Sequence, residues 1–102
     1  MKYELVITKS FKKDYKKLSN DEVLETDKVI MTLLNGEKLD IKYKDHELRG
    51  NYIGYRECHV KPDLLLVYKV DKENEKDPPK VLCLTALRIN THSNIFSIKK
   101  RV

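Results

Sequence analysis

The chain has 102 residues, one domain's worth, of which 40% are hydrophobic and 36% charged. Its apolar residues fall in periodic or continuous clusters, which excludes a disordered chain, and none of these runs approaches the ~18 residues of a membrane span. The net charge of +5 favours an anionic partner such as RNA, DNA, an acidic membrane face or an acidic protein, although a lysine-rich solvated surface accounts for it equally well.

Tyr3 to Ile7 alternates, with Tyr3, Leu5 and Ile7 on one face, and reads as a short strand. Thr8 or Ser10 can cap the helix that follows. Phe11, Tyr15 and Leu18 make its apolar stripe, and Lys12, Lys13, Lys16 and Lys17 lie off the stripe on a basic, solvated surface. Ser19-Asn20-Asp21 breaks this helix and caps a second one. There Val23, Ile30 and Leu34 line one face, and Leu24, Met31 and Leu33 widen it. Asn35-Gly36 ends it, because both residues tolerate a left-handed backbone. Two helices on a tight turn form an αα-hairpin. A DNA-reading helix-turn-helix is the alternative, and the lack of a third docking helix argues against it.

Residues 37–47 read as polar and irregular, and Leu48 to Asn51 as a short strand containing Gly50. Tyr55 to Val60 alternates, with Tyr55, Glu57 and His59 opposite Arg56, Cys58 and Val60. Lys61-Pro62-Asp63 is a turn. Leu64 to Val70 is nearly continuous aliphatic, as in a central strand buried on both faces. Asp71 to Lys80 is an exposed hairpin loop with Pro78-Pro79, and Val81 to Ile89 is a second continuous apolar strand. A strand, two helices and about four strands predict an α+β domain, helices packed on a sheet, spanning residues 1–102. Cys58 and Cys83 form no C-x-x-C pair and suit buried thiols in a reducing cytoplasm. The first residues lack the apolar core of a secretory signal, so the chain is expected to be cytoplasmic.

The histidines are His46, His59 and His92, all outside the helices, and Asp63 follows His59 across a turn. Convergence on one face of the sheet would permit a zinc site, since His and Asp are common ligands. It would also permit metal-free cleavage of RNA. Imidazole titrates near neutrality, so one histidine can take a proton while another gives one. RNA supplies its own nucleophile in the 2′-hydroxyl, and an arginine or lysine can stabilise the phosphorane. Ordinary surface or core histidines fit the spacing too. No H-x-x-x-H or C-x-x-C spacing favours the metal.

Three motifs go further. Tyr43-Lys44-Asp45-His46-Glu47-Leu48-Arg49-Gly50, Gly54-Tyr55-Arg56-Glu57-Cys58-His59-Val60-Lys61-Pro62-Asp63 and Arg88-Ile89-Asn90-Thr91-His92-Ser93-Asn94-Ile95-Phe96 resemble, in this order, the signature segments of YafQ-like toxins of the RelE/ParE superfamily. Phe11-Lys12-Lys13-Asp14 lies near the family's opening. The resemblance covers almost the whole chain. It implies a RelE-like fold, a small twisted, mostly antiparallel sheet with an N-terminal helical hairpin packed on it. It also implies the toxin of a type II toxin–antitoxin system, a ribosome-dependent endoribonuclease that cuts mRNA without a cofactor or metal. Its expected partners are mRNA and the ribosome, a small acidic antitoxin, and operator DNA only as the toxin–antitoxin complex; no membrane is expected.

By position the resemblance makes His46, His59, Asp63 and His92 the catalytic cluster. His46 and His92 trade protons, and His59 and Asp63 orient or stabilise them. Arg88 is to steady the scissile phosphate and Phe96 to stack on a base. Lys44 and Arg56, in the same motifs, are to bind substrate. Two departures stand out: Leu64 replaces the usual aromatic after Pro-Asp, and Asn90 replaces a glycine. The alternatives are a ParE-like toxin that binds gyrase, a degenerate toxin that only binds its antitoxin, and a metal-dependent hydrolase. The basic tail Lys99-Lys100-Arg101 reads as a solvated end or an rRNA contact.

Overall fold

The computed structural model describes residues 3–72, 82–91 and 95, with their side chains except at 51, 71, 72 and 82–87. In chain order these residues form β1 (Glu4–Ile7), α1 (Lys9–Lys16), α2 (Asn20–Leu34), a 3-10 turn (Ile41–Tyr43), β2 (His46–Glu47), a second 3-10 turn (Gly50–Tyr52), β3 (Arg56–Lys61), β4 (Leu64–Lys72) and β5 (Leu82–Asn90).

Local chemistry sets the helix ends. The Thr8 hydroxyl accepts from the Phe11 amide at 3.0 Å and starts α1. Ser19 and Glu22 cap α2 reciprocally: the Ser19 hydroxyl accepts from the Glu22 amide at 3.2 Å, and the Glu22 carboxylate from the Ser19 amide at 2.9 Å. Past Asn35 the chain leaves α2 through Gly36, whose φ of 75° suits a residue without a Cβ.

The sheet order is β1-β5-β4-β3-β2. The β2–β3, β3–β4 and β4–β5 pairs are antiparallel, whereas β1 runs parallel to β5. A parallel pair needs a long connection, and the helical hairpin forms the first part of it. This is the expected α+β arrangement with a mostly antiparallel sheet.

The central strand β4 is buried from Leu64 to Tyr68 and serves two cores. Leu64, Leu66 and Tyr68 join Cys58, Val60 and Ile89 beneath Phe11, Val29, Ile30 and Leu34 of the helices. Leu65 and Val67, on the other face, meet Ile95, Leu48 and Tyr55 among the described residues.

Three expectations change. Leu24 and Met31 do not widen the buried face of α2; they are 63% and 50% exposed, and Thr26 and Val29 are buried instead. The hairpin meets the sheet on one side only, so the flank of a broad stripe stays in solvent. The strand expected at Leu48–Asn51 lies earlier, at His46–Glu47. Leu48 still donates to the Tyr55 carbonyl at 2.9 Å, but Gly50 takes a φ of 68° and turns the chain out of the sheet. Leu64, buried in the helix-side core, fills a packing position rather than a stacking one. The expected loop at 73–80 lies outside the described residues, as do His92, Phe96 and the Lys99-Lys100-Arg101 tail. Among the described residues no helix is long and apolar enough to cross a membrane.

Candidate active site

Alternation along β3 divides its side chains. Cys58 and Val60 enter the helix-side core, so Glu57 and His59 emerge on the far face. Register extends that face: His46 stands opposite Glu57, Glu57 opposite Val67, His59 opposite Leu65, Arg88 opposite Val67 and Asn90 opposite Leu65. Side chains directly opposite sit about 5 Å apart at Cβ. The register therefore puts His46, Glu57, His59 and Arg88 at positions of one face, with His46 and Arg88 three strands apart, roughly 14 Å at Cα, and with Leu65, Val67 and Ile95 among its apolar floor.

His46 is held from both sides of the sheet. Its neighbour Asp45 points the other way and accepts from Arg56 Nε at 3.3 Å, from Arg56 Nη2 at 3.1 Å and from the Tyr68 hydroxyl at 2.5 Å. Burial, with the Asp45 carboxylate adding to it, holds the Tyr68 hydroxyl well above its ordinary pKa, so it stays a donor. The same carboxylate raises Arg56. With Asp45 pinned, His46 faces outward. Its Nδ1 lies 2.8 Å from the Lys44 carbonyl, which can only accept, so Nδ1 carries a hydrogen. Lys44 takes a left-handed φ of 51° that brings its carbonyl round to the ring. Nε2 then faces Glu57 Oε1 at 3.8 Å. The His46 side chain is 53% exposed, whereas that of Glu57 is 5% exposed.

His59 is half-buried and lines a cavity of about 370 Å³ at the β3 edge, shared with Lys42, Tyr43, Lys44 and Lys61. Lys61 is paired with Asp21 of α2. Asp63 is exposed in the two-residue turn between β3 and β4. Arg88 forms a two-pronged ion pair with Asp14 of α1, through Nε at 2.6 Å and Nη2 at 3.1 Å. Arg56 does not share the face: it lies opposite Tyr68, on the helix side, and its guanidinium braces Asp45. The period of two puts residues 56 and 59 of one strand on opposite faces.

Sequence reasoning passed over three residues: Glu57, Asp45 and Asp14. Glu57 was legible as sharing His59's face, but its burial was not. Asp45 lies inside a quoted motif, and Asp14 is the lone acid among the lysines of α1. Nothing local marks either as a partner for residues far along the chain.

A second feature lies across the helical layer. Leu5, Ile7, Phe11, Tyr15, Ile30, Met31 and Leu34 line an almost wholly apolar groove of about 440 Å³, rimmed by Lys12, Lys16 and Asp27. It lacks an acid–base pair and suits a binding surface.

Residues 3–97 match the family described as bacterial toxin of type II toxin-antitoxin system, YafQ. The chain is 49% identical over 71 residues to the mRNA interferase toxin YafQ of Escherichia coli (strain K12), covering 68% of this chain and 67% of that protein. It superposes on the crystal structure of YafQ from E. coli strain BL21(DE3) with a TM-score of 0.77 at 27% identity, covering 92% of this chain and 98% of that one. The E. coli DinJ-YafQ toxin-antitoxin complex matches with a TM-score of 0.75 at 27% identity, over 94% of this chain and 99% of that one.

Proposed function

Given that this chain belongs to the YafQ family and is an mRNA interferase toxin of a type II toxin–antitoxin system, we propose that it cuts RNA by metal-free proton transfer on the face that carries His46, Glu57, His59 and Arg88. The observation that carries this reading is the setting of His46. Its Nδ1 hydrogen is committed to Lys44, so Nε2 is the nitrogen that exchanges a proton. Glu57 Oε1 stands 3.8 Å from that nitrogen.

His46 Nε2 takes the 2′-hydroxyl proton, and the 2′-oxygen attacks the adjacent phosphorus. Arg88 offsets the negative charge gathering on the phosphorane oxygens. The P–O5′ bond breaks and the leaving oxygen is protonated by His92, the general acid that the family resemblance assigns. The products are a 2′,3′-cyclic phosphate and a 5′-hydroxyl. His59 and Asp63 orient or stabilise these groups. Lys44 and Lys42, beside His59, attract the backbone, and Phe96 stacks on a base. The balance closes without an ion.

The message is positioned by the ribosome, in keeping with an open sheet face rather than a deep cleft for RNA and with a net charge of +5. The gyrase-binding alternative is set aside by membership of an mRNA interferase family. The degenerate-toxin alternative, kept open by the missing aromatic at Leu64, is decided by whether the wild type cuts in the assay below. The test is cleavage of mRNA on programmed ribosomes by wild type, His46→Ala and His92→Ala, each toxin stripped beforehand with EDTA that is dialysed away so that the ribosomes keep their magnesium. Each variant should lose ~10²–10⁴-fold. Full activity in both variants would overturn the histidine mechanism, and a stripped wild type that is inactive until zinc or another transition metal is restored would overturn the metal-free one.

Neutralisation falls to an acidic antitoxin, as DinJ is found in complex with the E. coli toxin. The apolar groove with Lys12 and Lys16 on its rim is the surface we assign to it, because an amphipathic segment with acidic flanks satisfies both parts. Operator DNA is bound by the joint complex. Met31→Glu should weaken antitoxin binding and leave cleavage unchanged.

A further inference from the structure

β1 shields only part of β5. Its register ends with Ile7 against Ala86, so among the described residues the outer edge of Arg88–Asn90 has no strand beside it. What meets that edge is the Asp14 carboxylate. Asp14, on α1, accepts from Arg88 Nε and Nη2, from the Ile89 amide at 3.2 Å and from Asn90 Nδ2 at 3.0 Å. Asn90 in turn accepts from the Thr91 amide at 2.8 Å. Asp14 is 7% exposed, so this is a built contact and not a surface encounter.

The geometry matters for Arg88. A guanidinium is a planar fork with five N–H donors, and Asp14 takes two of them along the Nε–Nη2 edge. The plane is thereby fixed, and the remaining donors project from a side chain still 29% exposed. An arginine on a flexible stem must lose rotamer freedom when it meets a phosphorane; one already clamped has lost it on folding. We propose that Asp14 is a positioning residue for RNA cleavage, orienting the Arg88 guanidinium toward the scissile phosphate from the helical layer. This rests on the role given to Arg88 above.

The same geometry predicts that lysine is a poor substitute for Arg88. An ammonium has three freely rotating donors and can touch Asp14 and a phosphate together, but it has no rigid plane for Asp14 to fix and no fork to present. Asn90, at a position where the family has glycine, adds a side-chain donor to the clamp and ties the carboxylate to the end of β5.

The experiment is single-turnover cleavage on programmed ribosomes, toxin in saturating excess, with the full chain as wild type, Asp14→Ala, Asp14→Asn, Arg88→Ala, Arg88→Lys and Asp14→Ala/Arg88→Ala. Under saturation an inactive fraction does not change the rate constant, so a merely structural role leaves it untouched. The proposal expects Arg88→Ala to slow cleavage by about 100-fold or more. Arg88→Lys should be nearly as slow. Asp14→Ala should lose about tenfold in rate with the half-saturating toxin concentration unchanged, and the double variant should be no slower than Arg88→Ala. Asp14→Asn, which keeps the shape and one acceptor, should fall between; it also carries the test if Asp14→Ala does not fold by circular dichroism. Wild-type rates in both Asp14 variants, or losses that multiply in the double variant, would overturn the clamp. A wild-type rate in Arg88→Ala would instead overturn the role of Arg88 itself.

Discussion

The two faces of this sheet come from the same strands and do opposite work. On the helix side, Cys58, Val60, Leu64, Leu66, Tyr68 and Ile89 are sealed under the hairpin. On the far side, among the described residues, Leu65, Val67 and Ile95 form a floor, and His46, Glu57, His59 and Arg88 take positions of the same face. β3 shows the economy of this, because Glu57-Cys58-His59-Val60 supplies site, core, site and core in turn. A thick core behind a thin one gives the titratable groups a rigid backing without covering them. The charged residues of the core face, Asp45 and Arg56, are each other's partners and brace the site from behind.

The comparison predicts that damage will separate by face. The largest effect expected is His46→Ala, which should slow cleavage ~10²–10⁴-fold while leaving the urea midpoint nearly unchanged. A matching loss of stability would show that the site face also carries the fold. Leu66→Ala should do the reverse. It removes a fully buried side chain and should cost ~2–5 kcal/mol in urea titration, with the surviving folded fraction still cutting RNA. Glu57→Gln keeps the volume and removes the charge facing His46. Its rate should fall about tenfold, since the carboxylate that faces His46 Nε2 is gone.

Asp14 joins the two faces, and acid should reveal it. Burial opposes its ionisation, but Arg88, the Ile89 amide and Asn90 outweigh that and hold its pKa below the ordinary 3.8. Its stabilisation is therefore present above pH 3.8 and is lost as the pH falls through the lowered folded-state value. The difference in urea midpoint between wild type and Asp14→Asn should be widest near neutrality and close on acidification; a difference independent of pH would mean the charge contributes nothing. The smallest effect concerns Cys58. Burial, with Asp45 and Glu57 adding, pushes its thiol up to about 12. In a Cys83→Ser background, iodoacetamide at pH 8 should label the chain only after denaturant is added.

Much of this was legible in the residues. Thr8 and Ser19 announced the helix starts, Gly36 marked the second helix end, and the aliphatic run from Leu64 declared the central strand. The alternation of β3 placed His59 opposite Cys58 correctly. What failed was the width of the α2 stripe, where Leu24 and Met31 are apolar but meet no sheet. Periodicity gives the direction of a face, not how far its neighbour extends. Local spacing also did not reveal that Arg56 braces Asp45 from the helix side and that Arg88 is gripped by Asp14.

By itself, then, the sequence determined the elements, the strand faces and the family, because caps, periods and motifs act within a few residues. Only the tertiary structure decided that β1 lies parallel beside β5, that Glu57 is buried against His46, and that Asp14 meets an arginine 74 residues away. Those outcomes depend on which strand edges remain open once the sheet has formed. Carboxylates and guanidinium groups that fill such edges are chosen by space and by the cost of leaving a buried charge unpaired, neither of which is written in local spacing.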